Sequence, residues 1–267
     1  MGYPISKIWH KPRKDLDQII NASISMGLEQ HGGKKAIPVF FRADDVAVPG
    51  RQFRDLIEVF NRHRVPLSMA VVPTWLTAAR WKVIQSMCRA DSELWCFYQH
   101  GWRHKNHEKA GKKQEFGPAR TKEDIENDLI RGRYRLMSVM GSSFYAAFTP
   151  PWNRLTKQTM AALLELGTHV ISRSRGARPS VLADMQDFQV NVDLHTRKET
   201  SADLGWANLV AEVTHAIAGG FCGIMIHHQR MNAHALAFLD SLLARMRAMD
   251  RFQFYHLKDL AEGLHEA

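Results

Sequence analysis

From residue 37 to residue 256 the chain alternates short apolar runs with longer segments of helical spacing. This alternation limits the possible folds more than any other feature. The runs rich in β-branched and aromatic residues, 37–42, 66–72, 93–99, 144–148, 168–172, 188–192, 223–226 and 252–256, read as strands. Segments 51–63, 75–90, 121–140, 157–166, 203–218 and 233–249 lie between most of them and read as helices. Such alternation predicts an α/β fold with a parallel sheet, open or closed into a barrel. A length of 267 residues suits one large α/β domain or two small ones. Residues 1–36 read as an N-terminal extension with a short helix around 15–30, and 37–267 as the domain proper. Segment 101–120 is polar, contains glycine and reads as a long functional loop.

The expected strands end in unusual residues. The first ends in RADD (42–45), the third in YQHGWRHKNH (98–107), the fourth in FTPPWNR (148–154) and the seventh in IMIHHQ (224–229). In parallel α/β folds the C-terminal strand ends gather on one face, where active sites are built. Four polar motifs at four such ends are therefore expected to converge. His100 and His104 stand four apart, a spacing that on a helical turn puts both imidazoles on one face. With one carboxylate of the Asp44–Asp45 pair they make an Asp-His-His set suited to zinc or another divalent transition metal. Adjacent carboxylates repel and resist burial unless something positive compensates them, and a cation would do so.

Lys and Arg number 36 against 27 Asp and Glu, a net charge of +9. The excess is scattered and fits either a solvated surface or a partner with phosphates or acidic sugars. No nucleic-acid-binding signature accompanies it, so nucleic acid is not the expected partner. The three cysteines form no CxxC pair and read as buried thiols of a reducing compartment. No apolar stretch approaches the about 18 residues of a membrane span, and no signal-peptide core is visible, so a cytoplasmic protein is expected.

FRADDV, HGWRH, TPPWN and IMIHH together resemble, in order and spacing, the successive motifs of the polysaccharide deacetylase family. This is the NodB-homology domain of carbohydrate esterase family 4, and the chain is most similar to a subgroup known only as polysaccharide deacetylase-like. The resemblance implies an irregular (β/α) barrel of about seven parallel strands, with residues 37–267 forming a single NodB-like domain. It implies Asp45, His100 and His104 as metal ligands, Asp44 as general base and His227 as the acid that protonates the leaving amine. His228 stands beside it as an alternative acid, but the motif offset favours His227. Pro151 and Trp152 fall at the substrate, with the Trp152 backbone N–H toward the oxyanion. The implied cofactor is a divalent metal, zinc first, with cobalt, nickel or manganese as alternatives. The implied reaction is hydrolysis of an N-acyl group, N-acetyl first, on a saccharide or related small amide.

Three positions depart from the family pattern. Thr149 stands where the family has an arginine that pairs with the catalytic base; Arg42, two residues before Asp44 on one strand, is the expected substitute, with Arg154 as the other candidate. Gly101 replaces a Ser/Thr that braces the ligand loop, a role left for Asn106 and His107. The family's Asp-x-x-Asp-Trp motif is only echoed by NVDLHTR (191–197), where Asp193 either orients His227 or simply ends a strand. Thr149 keeps open a non-catalytic, metal-dependent saccharide-binding protein, and a hydrolase of another C–N bond such as a formamide or cyclic amide is the further alternative.

Overall fold

The computed structural model describes residues 4–33 and 35–263, so the outermost ends of the expected extension and domain lie outside the described residues. Nine strands are present among them: β1 (Ile37–Val46), β2 (Leu67–Val71), β3 (Trp95–His100), β4 (Phe144–Thr149), β5 (Val170–Ile171), β6 (Gln186–Asp187), β7 (Val192–Asp193), β8 (Cys222–Ile226) and β9 (Phe252–Tyr255). The helices are α1 (Leu16–His31), α2 (Arg51–His63), α3 (Ala78–Met87), α4 (Lys122–Met140), α5 (Lys157–Glu165), α6 (Ala202–Ala218), α7 (Ala233–Arg247) and α8 (Leu257–Ala261). Every strand pairing is parallel, in the order β6-β5-β4-β3-β2-β1-β8-β7.

The sheet curls into an irregular barrel. Residues 186–194 span from one end of the order to the other. The Val190 N–H donates to Arg173 O (2.8 Å), and the next residue, Asn191, donates to Gly223 O (2.8 Å). The single strand expected at 188–192 is thus an interrupted one, β6 and β7, that leans first on β5 and then on β8. Counting it once gives seven strand positions around the barrel. β9 shares one edge of β1 with β2, pairing with Ile37–Phe40 while β2 pairs further along, at Arg42, Ala43 and Val46.

The outward residues of β1, β2 and β3, among them Phe41, Met69 and Phe97, join the helices in the main apolar core. Inside the barrel, Leu257 and Leu260 of α8 close the bottom against Ala70, Tyr98, Phe40 and Val190. All three cysteines are free and buried, and burial pushes each thiol up to about 12. No helix among the described residues is long and apolar enough to cross a membrane. The N-terminal segment packs tightly. A methyl group on Gly27 of α1 would lie 2.7 Å from Ile217 Cβ of α6. Trp9 donates its indole N–H to Leu194 O (2.9 Å) and stacks edge-on against Trp206.

Candidate metal centre and active site

The four motif-bearing strand ends meet at one mouth. Asp44, Asp45, His100, His104, Trp152, Asn153, Asp193 and His227 all line a cleft of about 820 Å³ at the C-terminal ends of the strands. β1 runs four residues beyond the expected 37–42, because the carboxylates themselves belong to the strand. On a regular strand Asp44 and Asp45 would face opposite sides. The β1–β2 register shifts between Ala43 and Val46, and Asp45 has φ +60°. This bulge turns both carboxylates toward the mouth. Gln229 donates from Nε2 to the Asp45 carbonyl and holds the bulge. Left-handed backbone recurs at His104, Trp152 and Asn153, so four of the five non-glycine residues with positive φ among the described residues lie at this site. Strained backbone of this kind concentrates where surrounding structure holds functional groups in place.

Asp45 Oδ1 lies 3.3 Å from His100 Nε2 and 3.2 Å from His104 Nε2. The three ligand atoms all fall within 4.8 Å of one another. The His100 Nδ1–H donates to the Thr149 carbonyl (2.9 Å), which leaves its Nε2 lone pair facing the carboxylate. Asp45 Oδ1 is buried and receives no hydrogen bond. Electron-rich atoms this close in a buried site need a proton or a cation between them. Burial opposes ionisation of Asp45, but His100, His104 and His227 outweigh it and hold its carboxyl far below the ordinary range. Burial, then neighbouring His100, depresses His104 to about 4, so its ring is neutral and its lone pair available near neutral pH. Burial works to lower His100, yet Asp45 and Asp44 prevail and raise it. The donor set fits a divalent ion that takes nitrogen and oxygen ligands.

The histidine pair is not on a helical turn, contrary to the expectation from its spacing. His100 is the last residue of β3 and His104 sits in a loop without regular structure. Left-handed turns at Gly101 (φ +60°) and His104 (φ +56°) bring the two rings together, with centroids 5.2 Å apart. The brace of this loop is Glu115, a residue that sequence reasoning did not single out. Its fully buried carboxylate accepts the N–H groups of Trp102 (3.1 Å), Arg103 (2.7 Å) and Lys105 (3.4 Å). Asn106 braces only the outer loop, accepting from Glu108 N and Gln114 N, and His107 joins through its backbone N–H to Gln114 O. Nothing in the sequence singles out Glu115, which is one of two acids, with Glu108, in a basic segment.

Gly101 is explained by the same packing. A methyl group there would lie 2.2 Å from Glu115 Oε2 and 2.5 Å from Pro151 Cγ, at a φ that favours glycine. Gly101→Ala should therefore destabilise the fold by about 2–4 kcal/mol, combining overpacking with backbone strain. It should also weaken metal affinity about 10- to 100-fold by displacing the ligand loop. Urea denaturation and metal titration check the two effects, and wild-type values in both would contradict this account of the loop.

Arg42 is fully buried and forms a two-pronged ion pair with Asp44: Nε to Oδ1 at 2.8 Å and Nη2 to Oδ2 at 2.9 Å. Ser172 Oγ accepts from Nη1 (2.9 Å), Asn153 Oδ1 accepts from Nη2 (2.7 Å), and Met225 Sδ lies 3.1 Å from Nη2. Arg154, the other candidate, instead donates to Lys113 O. Thr149 stands 3.1 Å from the Tyr98 hydroxyl, and its backbone carbonyl receives His100. The guanidinium beside Asp44 is thus delivered from β1 instead of from the end of β4.

His227 faces the cleft, while His228 is buried, points elsewhere, packs edge-on against Phe53 and is depressed by burial to about 3. Asp193 does not hold the His227 ring. Its carboxylate accepts from His195 N, Thr196 N and the Thr196 hydroxyl, closing the turn after β7. His195 is the residue that reaches His227, accepting its backbone N–H at Nδ1 (3.1 Å). Trp152 packs against His104, with ring centroids 4.5 Å apart, and Pro151 is buried beneath it.

No family model matches the sequence, and no curated protein matches it. Solved structures do match. A Mycobacterium smegmatis protein with a provisional assignment as a polysaccharide deacetylase has 17% identity over 88% of this chain and 92% of its own, with a TM-score of 0.65. A family 4 acetyl xylan esterase from Clostridium thermocellum, solved with a cobalt ion, has 13% identity over 84% and 90%, with a TM-score of 0.54. A CE4 family pseudoenzyme from Bacillus anthracis has 10% identity over 85% and 66%, with a TM-score of 0.54. The chain has the fold these proteins share, and that fold carries both enzymes and a pseudoenzyme.

Proposed function

We propose that this chain is a metal-dependent hydrolase of the polysaccharide deacetylase type, removing an N-acyl group from a saccharide or related amide. The observation that carries the reading is the division of labour between adjacent carboxylates. Asp45 converges with two imidazoles, while Asp44 stands outside that set, gripped by a buried guanidinium.

Asp45, His100 and His104 would hold the ion, and zinc is the first choice for this mixed oxygen and nitrogen set. A divalent ion there supplies Lewis-acid chemistry, polarising an acyl carbonyl and acidifying water. Asp44 is oriented to take a proton from the attacking water, because Arg42 holds the carboxylate plane from behind. His227, across the cleft, is placed to give a proton to the departing nitrogen, with His195 holding its backbone. Trp152, which has left-handed backbone in the turn after β4, would offer its backbone N–H as the oxyanion donor, with Pro151 opening that turn. Asp193 supports the site only indirectly, by closing the turn that carries His195, and His228 packs away from the cleft against Phe53.

Thr149 was the main reason to prefer a non-catalytic binder, and the Arg42–Asp44 pair supports catalysis in spite of it. The buried, unpaired cysteines fit a reducing compartment such as the cytoplasm. The domain reading that goes with this function takes 37–267 as the catalytic domain and 1–36 as an extension whose helix α1 packs on α6.

Reconstituted protein should contain about one divalent ion per chain by elemental analysis, and His104→Ala should lose most of it. An unchanged metal content in that variant would mean the ligands lie elsewhere. A hydrolysis screen across N-acetyl, N-formyl and cyclic amide substrates tests the reaction itself. Release of none of the corresponding acids by metal-loaded protein would sink the hydrolase reading.

A further inference from the structure

The cleft around the proposed centre is strongly basic on one side. Lys112 and Lys113 come from the loop after β3, Arg154 from the turn after β4, Arg175 from the segment after β5 and Lys198 from the loop after β7; all five line the cleft. These loops follow one another around the barrel, so the cations form an arc facing Asp44, Asp45 and His227 across the mouth. None of the five makes an ion pair with a carboxylate among the described residues.

The acids that line the same cleft are already engaged. Asp44 pairs with Arg42 and Asp45 faces the two histidines. Asp193 closes its own turn, and Glu212 pairs with Arg197 (2.8 Å). With Arg230 the lining holds six Lys and Arg against four acids, two of which are already paired with Arg42 and Arg197, so the net charge of the cleft is positive in a protein whose net charge is +9. Low-dielectric walls focus such a field onto whatever enters. A neutral glycan needs no such arc, and a duplex nucleic acid would call for a convex or grooved basic face, not a concave mouth.

From this arc we infer that the substrate is an anionic N-acylated saccharide, carrying a phosphate or carboxylate that lies against Arg154, Arg175 and Lys198 while the acyl group reaches Asp44. The inference rests on the proposed deacylase reading for the position of the acyl group, and on the cation arc alone for the charge.

Calorimetry on metal-reconstituted protein tests it with three probes: N-acetylglucosamine, its 6-phosphate, and N-acetylmuramic acid as the carboxylate-bearing sugar. At least one charged sugar should bind about tenfold or more tightly than the neutral one, a difference of about 1.4 kcal/mol. Whichever does so identifies the anion. Raising the salt should shrink that advantage, because exposed charges are screened within about a Debye length of 8–10 Å near physiological ionic strength. The Arg175→Gln/Lys198→Gln double variant should reduce the preference to about threefold or less. Arg62→Gln, which removes charge from α2 on the far side of the molecule, should leave it intact. Equal affinity for all three sugars would overturn the inference, as would a preference that survives the double variant. Affinity and hydrolysis are measured separately for each sugar, so the two readings fail separately. Hydrolysis of neutral N-acetyl sugars without charge preference would overturn this inference alone. Tight binding of a charged sugar by metal-loaded protein that cleaves no amide would overturn the deacylase reading alone.

Discussion

Asp44→Asn should abolish turnover while leaving the metal in place. The substitution removes a base and keeps the shape: the amide oxygen still accepts one Arg42 bond, and Asp45, His100 and His104 are untouched. Loss of a positioned general base costs about 10²–10⁴-fold in rate. Metal content by elemental analysis and turnover under saturating metal separate the outcomes. If Asp44→Asn emptied the site, the two aspartates would have exchanged roles. If it kept substantial activity, Asp44 would not be the base. The physical ground is the bulge at Asp45, which lets neighbouring carboxylates share a mouth and still have different partners.

Replacing Arg42 with methionine should be the most damaging change to the fold. Its guanidinium has no solvent exposure, and Asp44 is 2% exposed. Removing one member of such a pair strands a buried charge, at a cost of about 3–5 kcal/mol. Ser172 and Asn153 would lose their donor as well. Arg42→Lys, which keeps the charge, is the informative companion. Lysine cannot present two parallel N–H groups to a carboxylate, so stability should return in part while turnover stays low. Urea unfolding of both variants, with turnover of the lysine form, checks this. Wild-type activity in Arg42→Lys would show that Asp44 needs charge nearby but no fork.

Much of the architecture was legible because its causes are local. Helix α2 coincides with the expected 51–63, and α4 starts one residue inside its expected range because Thr121 caps it, accepting from Asp124 N. Strand ends were less legible. β1 extends through Asp45 against the usual sense of a paired carboxylate, since Arg42 and the histidines compensate charges that would otherwise end the strand. The expected 188–192 strand is instead the stretch joining β6 (186–187) to β7 (192–193), because closing the curled sheet makes one segment serve two neighbours in turn. Neither effect has a signature within a few residues of sequence.

The candidate site divides along the same physical line. That Asp44, Asp45, His100, His104 and His227 would converge followed from parallel strands alone, because every strand of a parallel sheet ends on one face. The pairing of Arg42 with Asp44 was likewise readable, from the two-residue period of a strand. Which carboxylate faces the imidazoles depended on a bulge, and the fit of the histidine pair depended on left-handed turns at Gly101 and His104 in place of a helical turn. Glu115 and Gln229 emerged only with the tertiary structure. Their work is to accept or donate hydrogen bonds to backbone groups, 10–13 residues away for Glu115 and 184 away for Gln229. Backbone groups are chemically alike at every position, so no residue type announces such a partner. His195 and Asp193 show the same limit: the motif left open whether Asp193 orients His227 or ends a strand, and the chain folds so that its carboxylate closes a turn while His195 accepts the His227 backbone N–H.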